Sequence, residues 1–258
     1  MILKDYQNYY TQALFNQDIR SDLFNENISD DNSDSSLKKS FKSFAVEKFE
    51  LVANSSLRGR THIFFSSVPK LVKYFLEEDY LYQRSKDYSI KYPDKAISPK
   101  NTGMPHFLEY IKYNAINEIK NIPSHFEDSI DYEIETSKLV FYKLPQIINH
   151  QFPVLETNIG LLIASENISE IIYNLKNNLG INHIEANPKK CFILKKFKKE
   201  ISIEPCNWAV FEILSQLNGL KSWQQLTDEL ISRENSLINK NQELMDWYDY
   251  FLEQNIIV

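Results

Sequence analysis

Residues 191–219, CFILKKFKKEISIEPCNWAVFEILSQLNG, change their hydrophobic period within a few positions. CFILKKF and EISIEPC are β-rich runs around a basic turn, which predicts a tight hairpin. From Glu200 to Glu204 polar and apolar residues alternate, so Ile201 and Ile203 fall on one strand face and Ser202 on the other. A helical period follows at once. Val210, Phe211, Leu214 and Leu217 line a first helix ending at Gly219, where a left-handed residue is inexpensive. Ser222 and Gln225 have capping-box spacing for a second helix, lined by Leu226, Leu230 and Ile231. Leu244, Trp247, Tyr248, Phe251 and Leu252 line a third.

The first part of the chain reads as helical throughout. Leu3, Tyr6, Tyr10 and Leu14 form one apolar stripe, and helical patterning resumes at Phe41, Phe44, Ala45, Phe49 and Val52 after an acidic, Asn/Ser-rich loop near residues 25–36. Pro69 should break the long apolar segment SLRGRTHIFFSSVPKLVKYFLEEDYL into two helices. Gly103 and Pro105 precede a helix carrying Phe107, Leu108 and Ile111, and another helix is expected over Ser124–Tyr142, with Ile130, Ile134 and Val140 inward. After Pro145 the composition turns to β-branched residues in QFPVLETNIGLLIAS, and ENISEIIYNLKNNLG reads as a short helix or a loop. A boundary near residues 143–150 follows. The expected fold class is α+β: an all-helical domain over 1–145, then a winged-helix-like domain over 146–258 with a small antiparallel sheet and three helices.

Composition narrows the chemistry. Only five glycines occur in 258 residues, with neither GxGxxG nor GxxxxGK[ST], which argues against phosphate-cradling loops. A net charge of −6 argues mildly against nucleic acid, the lysines around KKCFILKKFKKE being the sole basic candidate. Two cysteines, Cys191 and Cys206, cannot build a disulfide framework and read as buried thiols. The N-terminus resembles neither a signal peptide nor a membrane span, so a soluble, cytoplasmic protein is expected. His62, His106, His125, His150 and His183 are scattered without metal-ligand spacing, and the carboxylates of EDSIDYEIE read as an exposed helix face that meets a partner or only water. No catalytic constellation assembles and no metal site is expected.

The stretches LKDYQNYYTQALF, LRGRTHIFFSSVPKLVKYFLEEDYL, SPKNTGMPHFLEYI, FPVLETNIGLLIAS and the hairpin-helix at 191–219 together resemble the partner proteins of the multinuclear non-haem iron-dependent oxidases, the MbnC/HvfC/TglI-like family. The resemblance spans nearly the whole chain. It implies a non-catalytic subunit that binds a ribosomally synthesised precursor peptide and presents it to the oxidase for cysteine modification, with iron in the partner enzyme and no cofactor here. It also implies a PqqD-like C-terminal element, in which a leader peptide pairs with a strand edge beside a helix. Peptide contacts are then expected at Glu200, Ile201, Ser202, Ile203 and Glu204, with Trp247, Tyr248 and Phe251 walling the groove; Trp247 and Phe251 equally suit a core. This sequence departs from the family at LRGRTH, where a Tyr-Arg-x-Asn-like stretch is usual, and in its acidic loop.

A second reading comes from another class. Three helices after a hairpin also suit a winged-helix DNA-binding regulator, yet SWQQLTDELISREN and NQELMDWYDYFLEQN are net acidic where a DNA reader needs Lys or Arg.

Overall fold

A computed structural model describes residues 3–24, 46–95, 97–98, 101–141, 153–185, 187–198, 200–233 and 241–257. The acidic loop, Phe41, Phe44, Ala45 and the expected boundary at 143–150 lie outside them, as do the side chains of Leu3, Tyr6, Leu230 and Leu244. The class is α+β, and the chain divides into two compact units, residues 1–120 and 121–258.

The first unit is built from α1 (Leu3–Phe15), α2 (Gln17–Phe24), α3 (Val46–Ser67), α4 (Lys70–Phe75), α5 (Glu78–Lys91) and α6 (Gly103–Glu118). Two-residue strands, β1 (Ile97–Ser98) and β2 (Asn101–Thr102), pair antiparallel ahead of α6. Pro69 acts as expected: α3 stops at Ser67, and Pro69 is the N-cap of α4 in extended conformation. The core is an aromatic knot. Phe64, Tyr88 and Phe107 are buried with ring centroids 4.8–4.9 Å apart, a geometry that adds edge contacts to plain burial. The Tyr88 hydroxyl lies 2.7 Å from His106 Nδ1, so the knot's one polar tip is satisfied. Arg60 fastens the far end of α5. Its guanidinium lies over the rings of Phe15 and Phe64, at 5.3 and 5.0 Å, and Nη2 donates to the carbonyls of Tyr92 and Lys95 as the chain leaves the helix.

The second unit opens with α7 (His125–Phe141), followed by β3 (Ile159–Ser165), α8 (Ile168–Lys176), β4 (Lys189–Phe197), β5 (Glu200–Cys206), α9 (Trp208–Ser215), α10 (Trp223–Arg233) and α11 (Asn241–Glu253). The strands form one antiparallel sheet in the order β3-β4-β5. Its central strand is buried on both sides: Cys191, Phe192, Ile193 and Leu194 are consecutive and all inaccessible. One face, with Ile159 and Ile193, packs into a core with Val210, Leu214, Trp223, Leu226 and Phe251 from α9, α10 and α11. The other face receives α7. A Cβ on Gly160 would meet Leu139 of α7 at 3.4 Å, so the missing side chain lets helix and strand approach closely, and Lys196 Nζ donates to the Leu139 carbonyl at 3.3 Å. Helix α7, expected with the helical half, is therefore a layer of the sheet unit. Burial of a strand's second face requires it.

Local signals set the ends of these elements. Asn207 caps α9 by accepting from the Val210 N–H at 2.8 Å, and the capping box of α10 forms in both directions between Ser222 and Gln225. Helix α9 stops at Ser215, earlier than expected, while Gly219 is left-handed at φ 74° in the turn beyond it. Residues 168–176 form a helix with Ile168, Ile171, Ile172 and Leu175 buried. Asn255, at φ 51°, ends α11 in a reversal where the Ile256 N–H donates to the Phe251 carbonyl at 2.8 Å; the tail then bridges Leu155 to Ile257. Among the described residues no helix is long and apolar enough to cross a membrane.

Glu133 of α7 is a half-buried carboxyl with a consequence for stability. Burial pushes its pKa up to about 7, against the smaller opposing effects of Lys176 and Thr136. The folded chain thus holds this proton more tightly than the unfolded one, and the contribution of Glu133 to stability falls as pH rises from about 4.5 to about 7. Glu133→Gln should remove that slope and stabilise the protein by about 1–3 kcal/mol at about pH 8. Urea unfolding of both proteins at about pH 5 and about pH 8 measures it, and parallel losses in the two would contradict the assignment.

Candidate functional site: an open strand edge

The β4–β5 hairpin turns through Lys198, left-handed at φ 55°, between the paired residues Phe197 and Glu200. Which backbone groups of β5 face outward then follows from one hydrogen bond. Lys196 N–H donates to the Asn158 carbonyl at 2.8 Å, so Lys196 turns its backbone toward the β3 side. Alternation along an antiparallel strand turns Lys195 and Phe197 toward β5, where their register partners are Ser202 and Glu200. Ile201, Ile203 and Pro205 consequently point their backbones away from the sheet.

Pro205 has no N–H, which is why a proline is tolerated there. The edge therefore offers the N–H groups of Ile201 and Ile203 and the carbonyls of Ile201, Ile203 and Pro205. Among the described residues no partner is bonded to any of them. The opposite edge differs. On β3 the Ile159 N–H donates to the Glu156 carbonyl and the Ser165 N–H donates to Asp128 Oδ2 at 2.8 Å, so both ends of that edge are tied within the unit. Asp128 is itself buried and paired with Lys189 at 3.4 Å.

Side chains divide along β5 as the alternation requires. Glu200, Ser202 and Glu204 are exposed, while Ile201 and Ile203 are half-buried on the opposite face. Glu204 is held by Lys195 at 2.8 Å across the ladder. At the turn end of the hairpin a cleft of about 430 Å³ opens above Ile159, Lys195 and Ser202, with Gln254 and Asn255 beyond the end of α11 as its wall. These two polar residues were not singled out by the sequence pattern. The expected aromatic wall is placed differently. Phe251 is 3% exposed and belongs to the core, a correction that its position opposite Trp223 explains. Trp247 and Tyr248 are half-buried against the same cluster, Tyr248 with its ring 5.1 Å from that of Trp223.

The first unit holds a second concavity, about 410 Å³, lined by Lys91, Tyr92, His106, Glu109, Tyr110 and Tyr113. Lys91 Nζ lies over the Tyr92 and Tyr110 rings at 5.4 and 5.8 Å, so a cation already sits on that aromatic surface. Elsewhere, buried His125 contacts the Ile184 carbonyl through Nε2 at 2.9 Å, while His62 and His183 are exposed. His150 lies outside the described residues. Among the described residues no group of three or more His, Cys, Asp or Glu could hold a metal ion.

No family model matches the chain, and no curated protein matches it.

The two faces of the β5 backbone can be told apart by proline. Ser202 gives its N–H to β4, so Ser202→Pro removes a ladder bond and should cost about 3 kcal/mol or more. Ile203→Pro changes an outward group and should cost distinctly less, on the order of 1 kcal/mol. Denaturant unfolding of the two variants provides the comparison, and a larger loss for Ile203→Pro would reverse the assigned parity.

Proposed function

We propose that this chain is the non-catalytic partner subunit of a multinuclear non-haem iron-dependent oxidase, binding the leader of a ribosomally made precursor peptide by strand addition to β5 and presenting its cysteines for modification. The carrying observation is the outward backbone of Ile201 and Ile203 on an edge strand followed directly by helices. An extended peptide docks on such an edge by main-chain pairing, and alternate side chains supply selectivity. The order of three antiparallel strands and then α9, α10 and α11 suits a winged-helix-like, PqqD-like recognition element, with α8 inserted between its first two strands. The resemblance noted in the sequence supplies the identity of the partner enzyme, and the catalytic iron is assigned to that enzyme.

The DNA-binding alternative draws no support from charge. Helix α11, NQELMDWYDYFLE, has no Lys or Arg, and Lys221, just ahead of α10, is engaged by Glu229 at 2.6 Å. Phosphate contacts depend on such cations.

The test uses the leader half of a short cysteine-containing precursor encoded beside an iron-oxidase gene. Calorimetric titration should give binding that Ile203→Pro weakens by about 1–3 kcal/mol, because one peptide carbonyl loses its donor. Equal affinity in a folded Ile203→Pro variant would place the peptide elsewhere and sink the strand-addition reading. Co-expression with the oxidase should yield one complex in size-exclusion chromatography, with an interface of roughly 1,600 Å² in total. Separate elution at micromolar concentration would count against the partnership.

A further inference from the structure

We propose that Cys191 and Cys206 form a reversible cross-strand disulfide, so that the open end of the β4–β5 hairpin is a redox-modifiable site. The two cysteines are 15 positions apart in sequence, yet the register sets them directly opposite each other, Cys191 on β4 against Cys206 on β5. Residues opposite in an antiparallel ladder share a face, so both thiols project to the same side of the sheet. The parity fixed by Lys196 makes this a hydrogen-bonded pair, for which the Cα atoms stand about 5.5 Å apart. That separation falls inside the range of roughly 4.4–6.8 Å that a disulfide spans. Both thiols are free in the structure; Cys191 is buried and Cys206 is half-buried beside the α9–α11 core.

The position gives the bridge a mechanical meaning. The hairpin is closed at one end by the tight turn at Lys198, and the cysteine pair is the last rung at the other end. Oxidation would turn the hairpin into a covalent ring and fix the register of the edge strand from both ends. This holds whatever binds to the edge.

The oxidant is a low-molecular-weight disulfide such as oxidised glutathione. The Cys206 thiolate, the more accessible of the two, attacks one sulfur of the small disulfide, forming a mixed disulfide and releasing one thiolate. The Cys191 thiolate then attacks Cys206 Sγ, forming the protein disulfide and displacing the second small thiolate. Two protein thiols lose their protons, and one disulfide is reduced to two thiols for the one formed. Burial pushes both cysteine pKa values up, that of Cys206 to about 12 with Cys191 adding to the effect, so exchange should be slow at neutral pH and faster as pH rises.

The experiment equilibrates the full chain with reduced and oxidised glutathione across a range of ratios, both from the native state and by refolding from denaturant in the same buffers, and reads intact mass. The expected product is a monomer lighter by two hydrogens, with the segments around Cys191 and Cys206 linked after proteolysis and the native mass restored by reductant. Cys191→Ser should instead accumulate a glutathione adduct on Cys206. In the unmodified chain, any of three results overturns the proposal: persistent adducts, intermolecular dimers, or two free thiols at every ratio from both directions. The refolding arm ensures that slow entry into the folded site is not mistaken for an impossible bridge.

Discussion

The alternation of backbone groups along an edge strand is the constraint on which the second unit depends. In an antiparallel ladder each residue sends its N–H and C=O to the same side, and successive residues send theirs to opposite sides. A two-residue turn at Lys198 and one bond from Lys196 to Asn158 decide which set faces outward along all of β5. The same parity requires that Pro205 fall on the outward set, since on the inward set it would delete a rung. It also pairs Cys191 with Cys206 and sends Ile201 and Ile203 to the opposite face from Glu200, Ser202 and Glu204. A one-residue slip would reverse every one of these assignments.

Much of this was legible because short-range signals carried it. The hairpin, the break at Pro69, the Ser222–Gln225 box and the alternation in β5 are properties of a few adjacent residues, and each appears where its pattern puts it. The second layer of the sheet is not legible in the local pattern. CFIL is four apolar residues in a row, which a one-faced strand does not need, and that run was the available sign that something must cover the other face. It could not say that α7 would do so, because the match of Leu139 to the gap at Gly160 is long-range. Phe251 illustrates the same limit: the period identifies an apolar face on α11, but whether that face meets a core or a ligand depends on Trp223 and its neighbours. The openness of β5 was half legible, since a proline inside a strand pattern already marks an edge.

The first unit shows a different kind of hidden information. Its helices follow from apolar spacing, but the roles of its polar groups do not. Arg60 reads in sequence as one of two basic residues in LRGRTH, whereas in the fold it lies between two aromatic rings and closes the end of α5 through two carbonyls. A lysine could not make that arrangement, because only the flat guanidinium stacks on rings while its edge donates to several acceptors. Tyr88 likewise combines burial among Phe64 and Phe107 with one hydrogen-bonded tip at His106. Such groups organise the aromatic core and leave its exposed rim, around Tyr92, Tyr110 and Tyr113, as the unit's concave surface.

An open edge must still avoid pairing with every passing strand, and its energetics show how. Two donors and three acceptors allow at most five main-chain bonds, each contributing about 0.5–1.5 kcal/mol net. Ordering some five residues of a flexible peptide costs roughly 1–2 kcal/mol per residue. The ladder alone therefore leaves binding near zero or unfavourable, the donor absent at Pro205 being already part of that limit. Affinity has to come from side chains: apolar ones against the half-buried Ile201 and Ile203, and polar ones over the cleft formed with Gln254 and Asn255. Backbone pairing then fixes direction and register, while the two unlike faces of β5 choose among sequences that all present the same backbone.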